Sequence, residues 1–320
     1  MDRIAVLASG GDAPGMNACI RAVVRSALHR GLRVSGVLRG YQGLIEDSIS
    51  DMCWGDVSNI IQRGGSILHS ARSEAFLTFD GRAQASANIR KHGITGLVVI
   101  GGDGSFRGAD ALAREQGVAV AGVPGTIDND VWGTDYTIGY DTAVNTALDA
   151  IDRIKDTAAS HDRVFIVEVM GRSAGFIAIE AGVGSGAEAI LLPETRTDVD
   201  ALAAMIRRRR DEGRRSSILV CAEGDEDGGA RAVASRLKAD HGIECQVTVL
   251  GHVQRGGSPT TSDRVLASKL GWAAVDALCE GAAPCMVGEI ARRIVRHPLA
   301  DSWTFRKGID PELVRLAGLL

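Results

Sequence analysis

Short apolar runs that end in glycine-rich polar turns and pass into helical periodicity recur along this chain. That alternation limits it to α/β folds with mainly parallel sheets and right-handed crossovers. Residues 3–7 (RIAVL) run into 8–15 (ASGGDAPG), after which Ile20, Val23, Val24, Ala27 and Leu28 recur at helical spacing. Leu97-Val98-Val99-Ile100 runs into Gly101-Gly102-Asp103-Gly104-Ser105 and a helical pattern to Gln116. Residues 118–123 lead to Pro124-Gly125-Thr126-Ile127-Asp128-Asn129-Asp130, and 163–169 to Met170-Gly171-Arg172-Ser173. Residues 217–221 lead to Ala222-Glu223-Gly224, and 247–250 to 251–259 (GHVQRGGSP). Every polar cluster therefore sits at a strand's C-terminal exit, the edge at which open α/β sheets bind ligands. The expected architecture is two doubly wound α/β domains with a cleft between them.

With 320 residues, two cores are affordable. The 45% hydrophobic and 4% aromatic content, with 40 glycines, suits many strand-to-helix turns. A net charge of −4 gives no general attraction to nucleic acid or to an acidic membrane surface. No apolar run approaches the ~20 residues of a membrane span and no basic-plus-apolar leader opens the chain, so a cytoplasmic location is expected. Six scattered cysteines without CxxC pairs read as buried reduced thiols.

The exits supply a specific chemistry. Glycines ahead of a helix N-terminus present bare N–H groups and the positive end of the helix dipole to a phosphate. The first turn is neither the dinucleotide fingerprint nor the Walker loop. Asp103 would repel phosphate unless Mg²⁺ lay between them; the alternative is that it caps its helix. Asp128 and Asp130 read either as an Asx-rich turn or as a general base beside a metal or phosphate. Arginines 72, 163, 172 and 255 near strand exits suit a reaction with phosphate on both partners, such as phosphoryl transfer to a phosphorylated acceptor.

Six stretches, SGGDAPGMN at 9–17, NIIQRGGSILHSAR at 59–72, VVIGGDGS at 98–105, PGTIDNDVWGTDYTIG at 124–139, EVMGRSAG at 168–175 and VLGHVQRGGSP at 249–259, resemble the bacterial 6-phosphofructokinase family. The resemblance runs in order from about residue 2 to about residue 285. It implies ATP contacts at Gly11, Tyr41, Arg72, Ser73, Gly102, Asp103, Gly104 and Ser105, with Asp103 also the Mg²⁺ ligand. It implies fructose 6-phosphate contacts at Thr126, Asp128, Arg163, Met170, Gly171, Arg172, Glu223, Gln246, His252 and Arg255. Asp128 would be the base, Arg172 the cation at the transferring phosphoryl group, and Thr126 a third catalytic group. Arg163 would reach a neighbouring subunit's sugar phosphate, which implies a homotetramer. Taken alone, His252 also reads as a buried histidine, Glu223 as a helix cap and Arg163 as a surface ion pair. The expected domains are 1–139 with 257–305 for ATP, and 140–256 with 306–320 for the sugar phosphate.

Gly104 and Gly125 stand where pyrophosphate-using relatives tend to carry Asp and Lys, which favours ATP as donor. Two departures stand out. Gln246 replaces an arginine that the family uses as a second clamp on the 6-phosphate, and an amide cannot replace a bidentate guanidinium. Arg21, Arg25, Lys155, Glu188, Arg214 and Arg215 match the family's regulatory site for ADP or phosphoenolpyruvate, but Trp54, Asn59 and Glu212 replace an Arg, an Asp and a Lys there.

Overall fold

Six consecutive residues, RIAVLA, form β1 (Arg3–Ala8), and all six are buried. Such a strand needs cover on both faces, which is what crossover helices in a parallel sheet provide. The computed structural model describes residues 1–161, 163–214, 216–225 and 228–319. The chain divides into two compact units, 1–127 with 131–142 and 255–307, and 128–130 with 143–254 and 308–320. The breaks fall two or three residues from those expected, and Asp128, Asn129 and Asp130 group with the second unit.

In the first unit β1 is joined by β2 (Arg33–Val37), β3 (Ile49–Met52), β4 (Gly96–Gly101) and β5 (Val120–Pro124). The second unit contributes β6 (Val164–Val169), β7 (Ala189–Leu191), β8 (Ser217–Ala222) and β9 (Cys245–Val249), and the chain returns to the first with β10 (Cys285–Ile290) and β11 (Arg293–His297). The first sheet runs β11-β10-β5-β4-β1-β2-β3, parallel except for β3 and β11 at its edges. Side chains alternate faces along a strand. Ala5, Leu7, Leu97 and Val99 join one core with Leu44, Ile89, Phe106 and Leu112 from the helices Gly40–Ile45, Phe79–Lys91 and Asp103–Gln116. Ile4, Val6, Val98 and Ile100 are left for the face covered by the helices Met16–His29 and Thr261–Cys279. Those two helices pack closely because position 271 is glycine: a Cβ there would lie 2.8 Å from Cys19 O.

The second sheet, β7-β8-β6-β9, is parallel throughout. Its core joins Val164, Ile166, Leu219 and Cys221 to Leu202, Ala203 and Ile206 of the helix Val199–Asp211 and Val233 and Leu237 of the helix Gly229–His241. β9 is an edge strand of this sheet, and Gln246 on it is exposed. Among the described residues no helix is long and apolar enough to cross a membrane. The α/β class with mainly parallel sheets is as the alternation predicts. Periodicity did not mark β3, β10 and β11, whose exposed, charged or glycine-interrupted sequences lack a buried strand's run of aliphatics.

Candidate active site

β1, β4 and β5 are neighbours in the first sheet, so their exits lie side by side. Ser9 N–H donates to Ile100 O at 2.9 Å and Gly125 N–H to Gly101 O at 3.0 Å. Gly101 has to be glycine, because a Cβ would sit 2.5 Å from Ser105 Oγ and 2.6 Å from Ser9 O. The helix Asp103–Gln116 begins with Gly102 as its cap and no side chain on its first N–H groups. Asp103 is thus the first helical residue and does not cap the helix, which removes the structural alternative for it. Its carboxylate is 41% exposed and 3.8 Å from Arg107 Nε. Gly104 is exposed and nothing lies within 4 Å of where its Cβ would be.

Of the other residues expected to meet ATP, Gly11 lies on the turn after β1 and Tyr41 reaches Ser105. Gly11 is exposed, and Arg255 leans on the same turn, donating from Nη1 to Asp12 O at 3.2 Å. Arg72 is exposed, while Ser73 Oγ donates to Gln42 Oε1 at 2.7 Å. Tyr41 is buried, stacks on Phe76 with centroids 3.9 Å apart, and donates its hydroxyl to Ser105 O. Burial pushes the Tyr41 phenol far up, so in this structure the side chain is a neutral support beneath the turn. Thr126 is next to the second turn: a Cβ on Gly102 would lie 3.9 Å from its own.

In the second unit the same kind of strand exit is built from side chains. Asp128 is 1% exposed, and Arg172 Nε lies 3.2 Å from its Oδ2. Arg172 takes a left-handed backbone conformation, φ 53°. Glu223 Oε1 holds it there, accepting from Arg172 N–H at 2.7 Å and Gly171 N–H at 3.3 Å. Glu223 is therefore the brace of this loop, and the helix-cap alternative falls away. Met170 N–H donates to Gln254 Oε1 at 2.9 Å. Gly224 permits the approach of the two exits, since a Cβ there would be 1.9 Å from Arg172 O. His252 is exposed, not buried, in the short turn Gly251–Arg255. Arg163 is exposed at the start of β6 and pairs with no acid among the described residues. Gln246 stands opposite Phe165 in register, so it and Arg163 share one face of the β6–β9 pair.

Residues 3–278 match the Phosphofructokinase family. The chain belongs to the phosphofructokinase family. It is 56% identical over 320 residues, all of this chain and 99% of the other, to the ATP-dependent 6-phosphofructokinase 1 of Thermus thermophilus. It is 51% identical over 317 residues to the ATP-dependent 6-phosphofructokinase of Shouchella clausii, covering 99% of this chain and 98% of that one. Among solved structures it resembles phosphofructokinase from Saccharomyces cerevisiae with a TM-score of 0.88 at 38% identity, covering 94% of this chain and 45% of the yeast chain. The pyrophosphate-dependent phosphofructokinase of Marinobacter aquaeolei, at 24% identity and a TM-score of 0.84, shares the fold.

In this member of the phosphofructokinase family the residues expected to form a regulatory site are in mixed states. Arg21 and Arg25 lie one turn apart on the helix Met16–His29, and burial, then the Arg25 charge, lowers the Arg21 pKa. Arg25 lies 5.5 Å over the ring of Trp54. Glu188 is engaged on both oxygens, by Arg209 Nη2 at 2.6 Å and Ile218 N–H at 2.6 Å. Lys155 is near Gly186, 4.0 Å from where its Cβ would be, and Arg214 is exposed. Arg215 lies outside the described residues. The cysteines are free, and Cys53 and Cys279 are exposed, contrary to the expectation of burial.

Three structural supports of these loops were not legible in the sequence of this chain. Asn17 donates to Arg63 O and Gly64 O and accepts from Ile67 N–H, fixing the loop that leads to Arg72. Gln254 braces Met170, and Asp263 ties Gly139 and Thr142 to the start of the helix Thr261–Cys279. Each lies in or just beyond one of the quoted motifs. Their only signal was a polar residue where a turn did not require one.

Proposed function

We propose that this protein transfers the γ-phosphoryl group of ATP to the 1-hydroxyl of fructose 6-phosphate, the ATP-dependent 6-phosphofructokinase reaction of glycolysis. The observation that carries the reading is the Asp128–Arg172 pair, a carboxylate 1% exposed with a guanidinium nitrogen 3.2 Å away. Likeness over the full chain to relatives named for this activity supports it. Asp128 takes the proton of the sugar hydroxyl as its oxygen bonds to phosphorus and the bond to ADP breaks; the proton then leaves to solvent. Arg172 exchanges its partner for the phosphoryl oxygens, whose charge it offsets. Thr126 orients the acceptor.

On the nucleotide side Gly11, Arg72, Ser73, Gly102, Gly104 and Ser105 hold ATP, with Tyr41 acting through Ser105. The open first turn of the helix at Asp103 suits a phosphate chain. No group of three or more acidic, histidine or cysteine side chains that could hold a metal exists among the described residues. The exposed carboxylate of Asp103, at the open start of its helix, would hold Mg²⁺, which would neutralise phosphate charge. On the sugar side Arg163, Met170, Gly171, Glu223, Gln246, His252 and Arg255 hold fructose 6-phosphate, with Arg163 reaching across a homotetramer interface. Arg21, Arg25, Lys155, Glu188, Arg214 and Arg215 form an effector site for ADP or phosphoenolpyruvate, altered by Trp54, and the enzyme acts in the cytoplasm.

A second reading rests on Gln246, neutral and exposed on the same face of the β6–β9 pair as Arg163. One guanidinium fewer favours a different phosphosugar, such as sedoheptulose 7-phosphate. The test is ADP release at fixed Mg-ATP against both sugars, with a pyrophosphate arm. Turnover fastest with fructose 6-phosphate is expected. A higher kcat/KM for the longer sugar would transfer the assignment to it, and turnover with pyrophosphate alone would overturn ATP as donor.

A further inference from the structure

Asp263 is 1% exposed, yet its carboxylate accepts nothing from the helix Thr261–Cys279 on which it stands. Its Oδ1 accepts Gly139 N–H at 2.7 Å, and its Oδ2 accepts both Thr142 N–H at 2.8 Å and the Thr142 hydroxyl at 2.5 Å. Thr260 N–H donates to Thr142 Oγ1 at 3.0 Å, and Asp263 N–H donates to Thr260 Oγ1 at 3.3 Å, so the two segments are tied reciprocally. Asp263 thus ties two helix N-termini together: its backbone N–H is capped by Thr260 at the start of its own helix, and its carboxylate serves the start of the helix Tyr140–His161.

The segment it grips is the return arm of the loop leaving β5. Ile138 N–H donates to Pro124 O at 2.9 Å and Thr137 Oγ1 to Thr126 O at 2.6 Å, so fixing 137–139 fixes 124–126. The same arm is packed on the first glycine turn: a Cβ on Gly139 would lie 2.6 Å from Ala13 Cβ, and one on Gly15 would lie 2.8 Å from Ile138 Cγ2. From Thr126 the chain continues two residues to Asp128. We propose that Asp263 is a positioning residue for phosphoryl transfer, holding the stretch that carries Thr126, from which the chain leads on to Asp128, in register with the glycine turn. A cap that served stability alone would need only one helix; this one joins three of the motifs that carry the chemistry. The inference rests on the phosphotransferase reading above.

Asp263→Asn keeps the shape but sets an amide donor against one of the donors now bound, loosening the clamp with little change in volume. Since about 1 Å of misplacement can cost ~10²-fold in rate, kcat should fall roughly 10- to 100-fold while the KM for Mg-ATP is unchanged. Hydrogen exchange should show Gly139 and Thr142 amides losing protection while the sheet keeps its own. Thr142→Val should lower kcat in the same direction, and the double variant should be no worse than Asp263→Asn, because both act on one clamp. Should Asp263→Asn fail to fold, Thr142→Val alone carries the test. A lowered Tm with kcat and KM unchanged would reduce Asp263 to a structural cap and overturn the proposal. An inactive wild type whose Gly139 and Thr142 amides still depend on Asp263 would sink the kinase reading and leave only a structural tie.

Discussion

The strand exits of the first unit present backbone, whereas those of the second present side chains. At β1 and β4 the surface consists of glycines and the uncapped start of a helix, and Gly101 is required because Ser9 and Ser105 crowd it. At β6 and β8 the surface is Arg172, Met170 and Glu223, each tied by a hydrogen bond or ion pair to another element of that unit. Backbone N–H groups recognise phosphate wherever it occurs and discriminate little among its bearers. Side chains braced by Glu223 and Gln254 can be aimed at one hydroxyl pattern. Under the proposed function, the first unit's exits make the donor side the generic half of the chemistry and the second unit's make the acceptor side the selective half.

The largest effect should come from the acceptor half. Asp128→Asn is expected to lower kcat by ~10²–10⁴ with little change in KM for ATP, as for loss of a general base, measured as ADP release. Activity retained within tenfold would remove Asp128 from that role and the comparison would lose its centre. Next comes Gly224→Ala, whose methyl would meet Arg172 O at 1.9 Å and cannot be relieved by rotating a side chain. It should cost about 1–3 kcal/mol of stability, read from urea unfolding, and raise the KM for fructose 6-phosphate and not that for ATP. An equal rise in both would show that the two halves are not separable.

Smaller effects sharpen the contrast. Gln246→Arg adds a cation on the face that carries Arg163, and a hydrogen bond to a charged group is worth about 1.5–3 kcal/mol, so the KM for fructose 6-phosphate should fall roughly tenfold or more. No change would mean that Gln246 does not face the sugar phosphate. Gly104→Ala should be the mildest for the fold. It lies in the first turn of a helix with nothing near its Cβ, so stability should hold or rise by up to about 1 kcal/mol. The KM for ATP should nevertheless increase, because the methyl occupies the path of the phosphates. Unchanged ATP affinity would argue against a donor site made of backbone.

Apart from β3, β10 and β11, the strands were legible because their aliphatic runs have no other use, and the glycine turns because strand-to-helix exits need them. Asp103, Asp128, Arg172 and Glu223 were legible as polar residues at such exits. Their local alternatives were not decidable there: only the structure puts Gly102, not Asp103, at the helix cap and aims Glu223 at the 170–172 loop. Asn17, Gln254 and Asp263 stayed hidden because each is defined by partners far along the chain, and a buried amide or carboxylate has no periodicity to give it away. Arg255 was legible as a cation but not as one lying against Gly11 and Asp12.

By itself the sequence determined the alternation of strands and helices, the exits that carry glycine or charge, and the phosphoryl-transfer inventory those residues make, since all of these are set by neighbours within a few positions. Tertiary structure alone decided which exits become adjacent, by placing β4 between β1 and β5 and β6 between β8 and β9. It also decided which polar side chains are spent on holding loops, because a hydrogen bond between Asp263 and Gly139 exists only once folding has brought together two residues 124 positions apart.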